Sequence, residues 1–268
     1  MQSNSKSINK NAPDSISNNL IEIGALFRLA LPLMGTQIAA MGMGLLDTIM
    51  AGRYSSTDLA GVALGSSILW PLMLLVMGVL QAITPTVSQL NGAKKHEEIG
   101  EVIRQGLWIA IAGGLFIAFI LNQIGFVYEL LDVDPKARPI ATAYLQMTSF
   151  GIPAVTCHFC LRFLAEGMNF TKPALYIALC SLILKAPLNY VLIYGKLGLP
   201  ELGGVGCGIA QAVIMWFQLG AILLIVSQPK FNKTRWREKF SNHESLSCMV
   251  PLILIMPIFW SLLIQKFH

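Results

Sequence analysis

Long apolar runs separated by short polar segments form the pattern of this 268-residue chain. A helix that crosses a bilayer needs about 20 mostly apolar residues. Six runs meet this requirement, and they predict transmembrane helices at about 25–52, 59–87, 105–126, 140–164, 173–194 and 204–226. A seventh run, 246–264, is interrupted by Pro251 and Pro257. The pattern predicts an all-α, polytopic membrane helix bundle of six transmembrane helices, with a seventh left open.

The polar segments divide the chain into four parts. Residues 1–20 are polar and lack the apolar core of a signal peptide, so they predict a disordered cytoplasmic tail. Residues 21–228 hold the six predicted helices, and residues 229–245 form a basic cytoplasmic loop. Residues 246–268 are interpreted as an incomplete or degenerate seventh helix, because two prolines interrupt them.

Composition narrows the class of protein. Hydrophobic residues make up 54% of the chain and charged residues only 12%, whereas soluble domains carry about 25% charged residues. The lipid bilayer is therefore the expected environment. The net charge of +5 does not indicate a nucleic-acid partner, because the basic residues lie between and beside the apolar runs. That placement is typical of membrane topology.

The basic residues also predict the orientation. With the N-terminus inside, thirteen Lys and Arg residues, Arg162 among them, fall in cytoplasmic segments. Only four fall in outer loops, namely Arg53, Lys136, Arg138 and Lys196. Cytoplasmic loops carry the excess of positive residues in multi-pass proteins. The N-terminus and the loop 229–245 are predicted to be cytoplasmic.

Two charged side chains lie deep inside the predicted spans. Asp47 is five residues before Gly52, which places it about 8 Å below the outer face at ~1.5 Å per residue. Asn189 lies at about the same depth on the fifth span, and Lys185 is one helical turn below it. A charge at the centre of a span costs about 2.5–3.5 kcal/mol. Asp47 and Asn189 are therefore expected to meet, with Lys185 facing a cavity or Asp47.

Other polar positions leave two interpretations open. Gln37, Gln81 and Pro187 are candidates for lining a cavity, since Pro187 frees a backbone carbonyl and the amides offer polar groups. Interhelical hydrogen bonding is the alternative for the amides. The same two interpretations apply to a further set: Thr48, Gln105, Gln146, Gln211 and Gln218.

No constellation in the sequence favours an enzyme. Cys157-His158-Phe159-Cys160 has the C-x-x-C spacing of some metal and redox sites, but no second pair of ligands follows, and small apolar residues on a buried helix explain it. The G-x-G of Gly206 and Gly208 lacks the preceding strand that a phosphate loop requires. We predict no catalytic residue, no metal site and no cofactor.

Three stretches resemble the multidrug and toxic compound extrusion (MATE) transporters, in particular their NorM-like branch. They are PLMGTQIAAMGMGLLDTIMAGRYSSTDLAGVALG, QLNGAKK and PLNYVLIYGKLGLPELGGVGCGIA. The resemblance implies two six-helix lobes around a central cavity, with 21–228 as the N-terminal lobe. It implies export of organic cations and drugs against entry of Na⁺ or H⁺. It assigns Asp47 as the coupling carboxylate and Asn189 as part of that site.

The chain departs from the family pattern in two ways. Relatives tend to have N-x-P-L-N on the fifth helix, where this chain has Lys185-Ala186-Pro187-Leu188-Asn189. A lysine there would modulate the site by holding Asp47 ionised and competing with a cation. The chain also ends where a second lobe is expected. The sequence thus predicts an antiporter encoded as about half of the usual transporter, and three alternatives stay open: a non-transporting remnant, a half-transporter acting as a homodimer and a lipid flippase.

Overall fold

The computed structural model describes residues 12–130, 134–198 and 200–227, with side chains from residue 30 onward except at positions 127, 130 and 197. The described part is α-helical and contains no strand. Its helices are α1 (Ala12–Tyr54), α2 (Ser56–Gln81), α3 (Ile83–Gly92), α4 (His96–Asn122), α5 (Ile124–Leu130), α6 (Arg138–Ser149), α7 (Ile152–Gly167), α8 (Lys172–Ile193) and α9 (Gly204–Val226). A 3₁₀ turn, Lys196–Gly198, follows α8. The predicted all-α fold is confirmed.

Five helical segments within these residues are long and apolar enough to cross a membrane. They are Ala30–Tyr54, Ser56–Gly92, His96–Asn122, Lys172–Ile193 and Gly204–Val226. Each corresponds to one of the predicted spans, with ends that differ by several residues. The predicted count of six is not confirmed, and the seventh run, 246–264, lies outside the described residues.

The fourth predicted span, 140–164, is not one helix. It is divided between α6 and α7, and Phe150 and Gly151 join them. Pro153 explains the break, because its ring nitrogen cannot donate a hydrogen bond to the carbonyl of Ser149 and its ring clashes there. Proline is well tolerated in the first turn of a helix, so α7 begins at Ile152 instead.

The N-terminal segment also differs from the prediction over residues 12–20, where α1 is already helical. Pro13 is the second residue of this helix and Asp14 the third. Proline suits the first turn of a helix, because its missing N–H has no partner there in any case. The polarity of the segment was therefore a poor guide to disorder. Residues 1–11 and the predicted loop 229–245 lie outside the described part.

Two groups of buried apolar side chains hold the bundle together. One is formed mainly by α3, α4, α7 and α9, and the other draws on α1, α2 and every helix from α4 to α9. Helices α1 and α8 also expose many large apolar residues, such as Leu31, Met41 and Ile183. Exposed apolar side chains at this density suit a lipid environment rather than water. The protein is a multi-pass membrane protein.

A polar clasp closes the end of the bundle where α1, α2 and α9 meet. The Gly204 N–H, at the start of α9, donates a 2.6 Å hydrogen bond to Oδ1 of Asp58 on α2. Gly203 precedes it with φ of 53°, a conformation that favours glycine. Tyr54 reaches Glu201 in the adjoining loop at 3.3 Å. Asp58 thus caps a helix N-terminus from a neighbouring helix.

We expect Asp58→Ala to lower the free energy of unfolding by about 1 kcal/mol, the usual cost of losing an N-terminal cap. Asp58→Asn is the matched control, because its amide oxygen can still accept the Gly204 N–H. Thermal unfolding of the purified variants in detergent would measure the difference. Equal melting temperatures for the two variants would contradict the capping role.

Candidate functional site

The candidate site is centred on the carboxylate of Asp47, which α1 carries into the bundle. Asn189 Nδ2 donates to Asp47 Oδ1 at 2.7 Å, and Lys185 Nζ donates to Oδ2 at 2.7 Å. The exposed fractions are 6% for Asp47, 1% for Lys185 and 0% for Asn189. The predicted meeting of Asp47 with Asn189 is confirmed, and the lysine faces the carboxylate.

The packing of α1 along α8 explains this meeting. Two glycines of α1, seven residues apart, face two leucines of α8 with the same spacing: Gly35 faces Leu175, and Gly42 faces Leu182. A Cβ on Gly35 would lie 2.7 Å from Leu175 Cδ1 and would push the end of that side chain aside, so glycine favours the close approach. Two helices with matching repeats stay in register. The next step of seven reaches Asn189 on α8 and Ile49 on α1, and Asp47 lies two residues, about 3 Å, before Ile49.

A third helix completes the site through Gln211 of α9. Its Oε1 accepts a hydrogen bond from Lys185 Nζ, so the ammonium is shared between Asp47 and Gln211. Sequence reasoning grouped Gln211 with several other polar residues and did not assign it to the site. A usable signal was present, because Gln211 lies seven residues into α9. That places it about 10 Å below the outer face, close to the depth of Asp47.

One polar atom of the site has no protein partner among the described residues. Asn189 Oδ1 is buried and accepts no hydrogen bond. Its amide nitrogen must face Asp47, since a carboxylate can only accept. Ser181 Oγ, two turns earlier on α8, is also buried without a partner. Such atoms are rare in folded proteins and mark positions that need an explanation.

A cavity of about 540 Å³ opens beside this cluster, within the usual range for small-molecule sites. Asp47, Lys185 and Gln211 lie in its wall. The rest of the wall is mostly apolar and aromatic, with Trp70, Met73, Met77, Tyr144, Phe159 and Met215 among its members. A mixed wall of this kind can accept an amphiphilic organic molecule with little need for a specific hydrogen-bond pattern.

A scan of protein families matches residues 32–191, more than half of the chain, to the family described as MatE. The chain belongs to this family. The MATE resemblance noted in the sequence is thereby confirmed, and the matched region contains Asp47, Lys185 and Asn189. The family is one of transporters, which agrees with a role other than that of an enzyme.

Several relatives in the MATE family are named multidrug resistance proteins. The chain is 42% identical over 205 residues to the probable multidrug resistance protein NorM of Pasteurella multocida, covering 76% of this chain and 44% of the relative. It is 38% identical over 226 residues to the multidrug resistance protein MdtK of Klebsiella pneumoniae, covering 84% and 50%. The chain therefore spans about half the length of the curated relatives it matches.

The fold agrees with solved MATE structures. The eukaryotic MATE transporter AtDTX14 superposes with a TM-score of 0.74 at 20% identity, over 81% of this chain and 48% of that one. A MATE transporter in the bent conformation superposes with a TM-score of 0.70, also at 20% identity, over 77% and 45%. At this identity the likeness shows the fold alone.

Three of the predicted cavity residues are not in the cavity wall of this MATE chain. Gln37, Gln81 and Pro187 are all exposed and lie outside it. Gln37 follows the wall residue Thr36 and is therefore turned about 100° away around α1. Gln81 is the last residue of α2, a turn beyond the wall residue Met77. Pro187 lies between Lys185 and Asn189 in sequence, on another face of α8.

The cavity wall also includes Arg162, one member of a second ion pair that was not predicted from the sequence. Arg162 Nε donates to Glu166 Oε1 at 2.7 Å, and the two side chains are only 12% and 11% exposed. Arg162 lies within α7 and in the cavity wall. The positive residue is retained in the bundle because a carboxylate one turn later neutralises it.

The C-x-x-C stretch serves the core of the bundle. Cys157 and Cys160 are buried among the apolar side chains that join α3, α4, α7 and α9. His158 Nδ1 is 3.1 Å from the backbone carbonyl of Gln218 on α9, and its ring contacts Phe159 edge-on. The described residues contain no group of three or more His, Cys, Asp or Glu side chains that could hold a metal ion.

Proposed function

We propose that this chain forms one lobe of a multidrug and toxin efflux antiporter, which exports small organic cations or drugs while Na⁺ or H⁺ enters. The observation that carries the proposal is a buried carboxylate, Asp47, in the wall of a drug-sized cavity of a MATE-family chain. The printed names of the NorM and MdtK relatives support export of drugs. The protein lies in the bacterial inner membrane with its N-terminus in the cytoplasm.

The contacts of Asp47 can couple the binding of an ion to a conformational change. Among the described residues, the side-chain hydrogen bonds from Lys185 and Asn189 on α8 to α1 both go to the carboxylate of Asp47. Neutralising that carboxylate with a proton, or balancing it with Na⁺, weakens both contacts and loosens α1 from α8. A ligand shifts a conformational equilibrium by its differential affinity for the two states. Coupling-ion entry then biases the lobe between inward-open and outward-open forms.

Drug-efflux complementation in a pump-deficient bacterial host tests the function. A chimera would carry residues 21–227 of this chain in place of the matching region of the Pasteurella NorM relative. We expect the chimera to lower accumulation of a fluorescent cationic dye, and Asp47→Asn to abolish this effect. Asp58→Asn is the matched control, because Asp58 is an acidic residue of the polar clasp and lies outside the cavity wall. Dye export that survives Asp47→Asn would contradict the role given to the site.

Expressed by itself, the 268-residue chain is expected not to export the dye. Alternating access in transporters uses two units that move against each other around a central site, and the described residues make up one unit. Dye accumulation in cells that express the chain, compared with cells that express the full-length relative, checks this. Export by the chain that is lost with Asp47→Asn, together with a dimer stable in detergent, would establish a homodimeric half-transporter instead.

The topology gives a separate prediction. Cysteines introduced at Asn4 and Lys196 are expected to lie on opposite sides of the membrane, because Lys and Arg residues are concentrated on the proposed cytoplasmic side. A membrane-impermeant thiol reagent applied to intact cells should label position 196 and leave position 4 unlabelled. All five cysteines of the chain should be replaced by serine or alanine first. Labelling at position 4 alone would show that the protein has the opposite orientation in the membrane.

A further inference from the structure

Two oxygen atoms from different helices point at one position in the candidate site. Asp47 Oδ2 comes from α1 and Gln211 Oε1 from α9, and both accept a hydrogen bond from Lys185 Nζ. Convergence of a carboxylate oxygen and an amide oxygen is the arrangement that hard cations prefer. The position that such an ion would take is filled by the ammonium group of this chain.

The remaining contacts of the carboxylate are also unsuited to a free metal ion. Asn189 turns its Nδ2 donor toward Asp47, and its Oδ1 accepts no hydrogen bond from the described residues. Each carboxylate oxygen therefore already accepts one 2.7 Å hydrogen bond from a nitrogen. A Na⁺ ion at Asp47 would have to displace at least one of these donors.

The attachment of the ammonium to α8 favours it over an ion from solution. Lys185 is 1% exposed and lies one turn from Asn189 on the same helix. A group that is tethered beside its partner has an effective concentration in the millimolar range or above. Among the described residues, Arg162 pairs with Glu166, and Asp58 accepts a hydrogen bond from the Gly204 N–H at the start of α9, so no hydrogen bond or ion pair is recorded between Asp47 and these charged groups.

We propose that Lys185 is a built-in counter-cation of Asp47 and that it excludes Na⁺ from this site. The proposal deepens the proposed function and rests on it in one respect, since it identifies which of the two coupling ions this lobe does not take. It makes Lys185 a specificity-determining residue. It also gives Gln211 a defined part, as the second oxygen that holds the ammonium in place.

The test is Na⁺ binding by the purified chain in detergent, measured with no transport step. Melting temperatures in NaCl and in choline chloride of equal ionic strength would be compared. For the natural sequence we expect a difference below about 1 °C. Lys185→Asn removes the ammonium and adds an amide oxygen beside Asp47 and Gln211. We expect this variant to gain a Na⁺-specific rise of at least about 2 °C, as for a ligand that binds only the folded state.

Two further variants keep the result interpretable. Lys185→Gln repeats the test with a longer amide, in case the asparagine variant does not fold. Adding Asp47→Asn to either variant should abolish the gained Na⁺ response. Saturable binding of radioactive Na⁺ to the natural sequence, lost in Asp47→Asn, would overturn the proposal. So would a folded Lys185→Asn or Lys185→Gln variant with no Na⁺ response. Neither outcome depends on dye export. A failure of the Na⁺ proposal can therefore be told apart from a failure of the proposed efflux function.

Discussion

Lys185→Met is expected to lower the free energy of unfolding by about 3–5 kcal/mol, because it leaves Asp47 as an uncompensated buried charge. Methionine has nearly the length of lysine, so little cavity is created. Lys185 is 1% exposed and supplies the only cationic contact recorded for Asp47 among the described residues. Reversible unfolding in mixed detergent micelles would measure the change.

Lys172→Met is the matched control for that experiment. Lys172 is the first residue of the same helix and is exposed, and substitutions at such positions usually change stability by no more than about 0.5 kcal/mol. If both variants lost a comparable free energy of unfolding, the contribution of Lys185 would come from general helix or membrane effects. In that case the ion pair with Asp47 would not be the cause.

Gly208→Ala is the second substitution with a large expected effect, a loss of about 1–3 kcal/mol typical of an overpacked core. A Cβ at this position of α9 would lie 2.6 Å from the backbone oxygen of Tyr144 on α6 and 3.2 Å from its Cα. The obstacle is backbone, so relief requires α6 and α9 to separate. Because Tyr144 also lines the cavity, the shift would change the cavity wall.

Gly220→Ala, on the same helix α9, gives the opposite expectation. Nothing lies within 4 Å of a Cβ at this exposed position, and alanine stabilises a helix interior by up to about 1 kcal/mol relative to glycine. Melting temperatures of the two variants should therefore move in opposite directions. A rise in both would contradict the close contact between α6 and α9.

Depth along a span was the part of the site that sequence could predict. Counting residues from the outer ends placed Asp47 and Asn189 at one level, and the helical repeat added Lys185, because these quantities depend on a fixed rise per residue. The same count applied to α9 would have included Gln211. Breaks in helices were less accessible, since Pro153 was compatible either with a kinked span or with two helices.

Rotation about a helix axis was the part that sequence could not predict. In a soluble protein the polar face of a helix shows which side is buried. In a membrane bundle both the lipid-facing and the packed sides are apolar, so the sequence does not distinguish Gln37 from its neighbour Thr36. The structure places Thr36 in the cavity wall and leaves Gln37 outside it. Gln81 lies outside the wall for a different reason, because it is one turn beyond the wall residue Met77 on the same side of α2.

A double-mutant cycle between Asp47 and Lys185 tests most directly the central claim that these two side chains form one interdependent pair. The variants are Asp47→Asn, Lys185→Met and their combination, with free energies of unfolding measured under one set of conditions. The combined variant has no buried charge left at the site. The account predicts that it is more stable than the sum of the single effects implies, by at least about 2 kcal/mol. Single effects that add to within about 0.5 kcal/mol would contradict it.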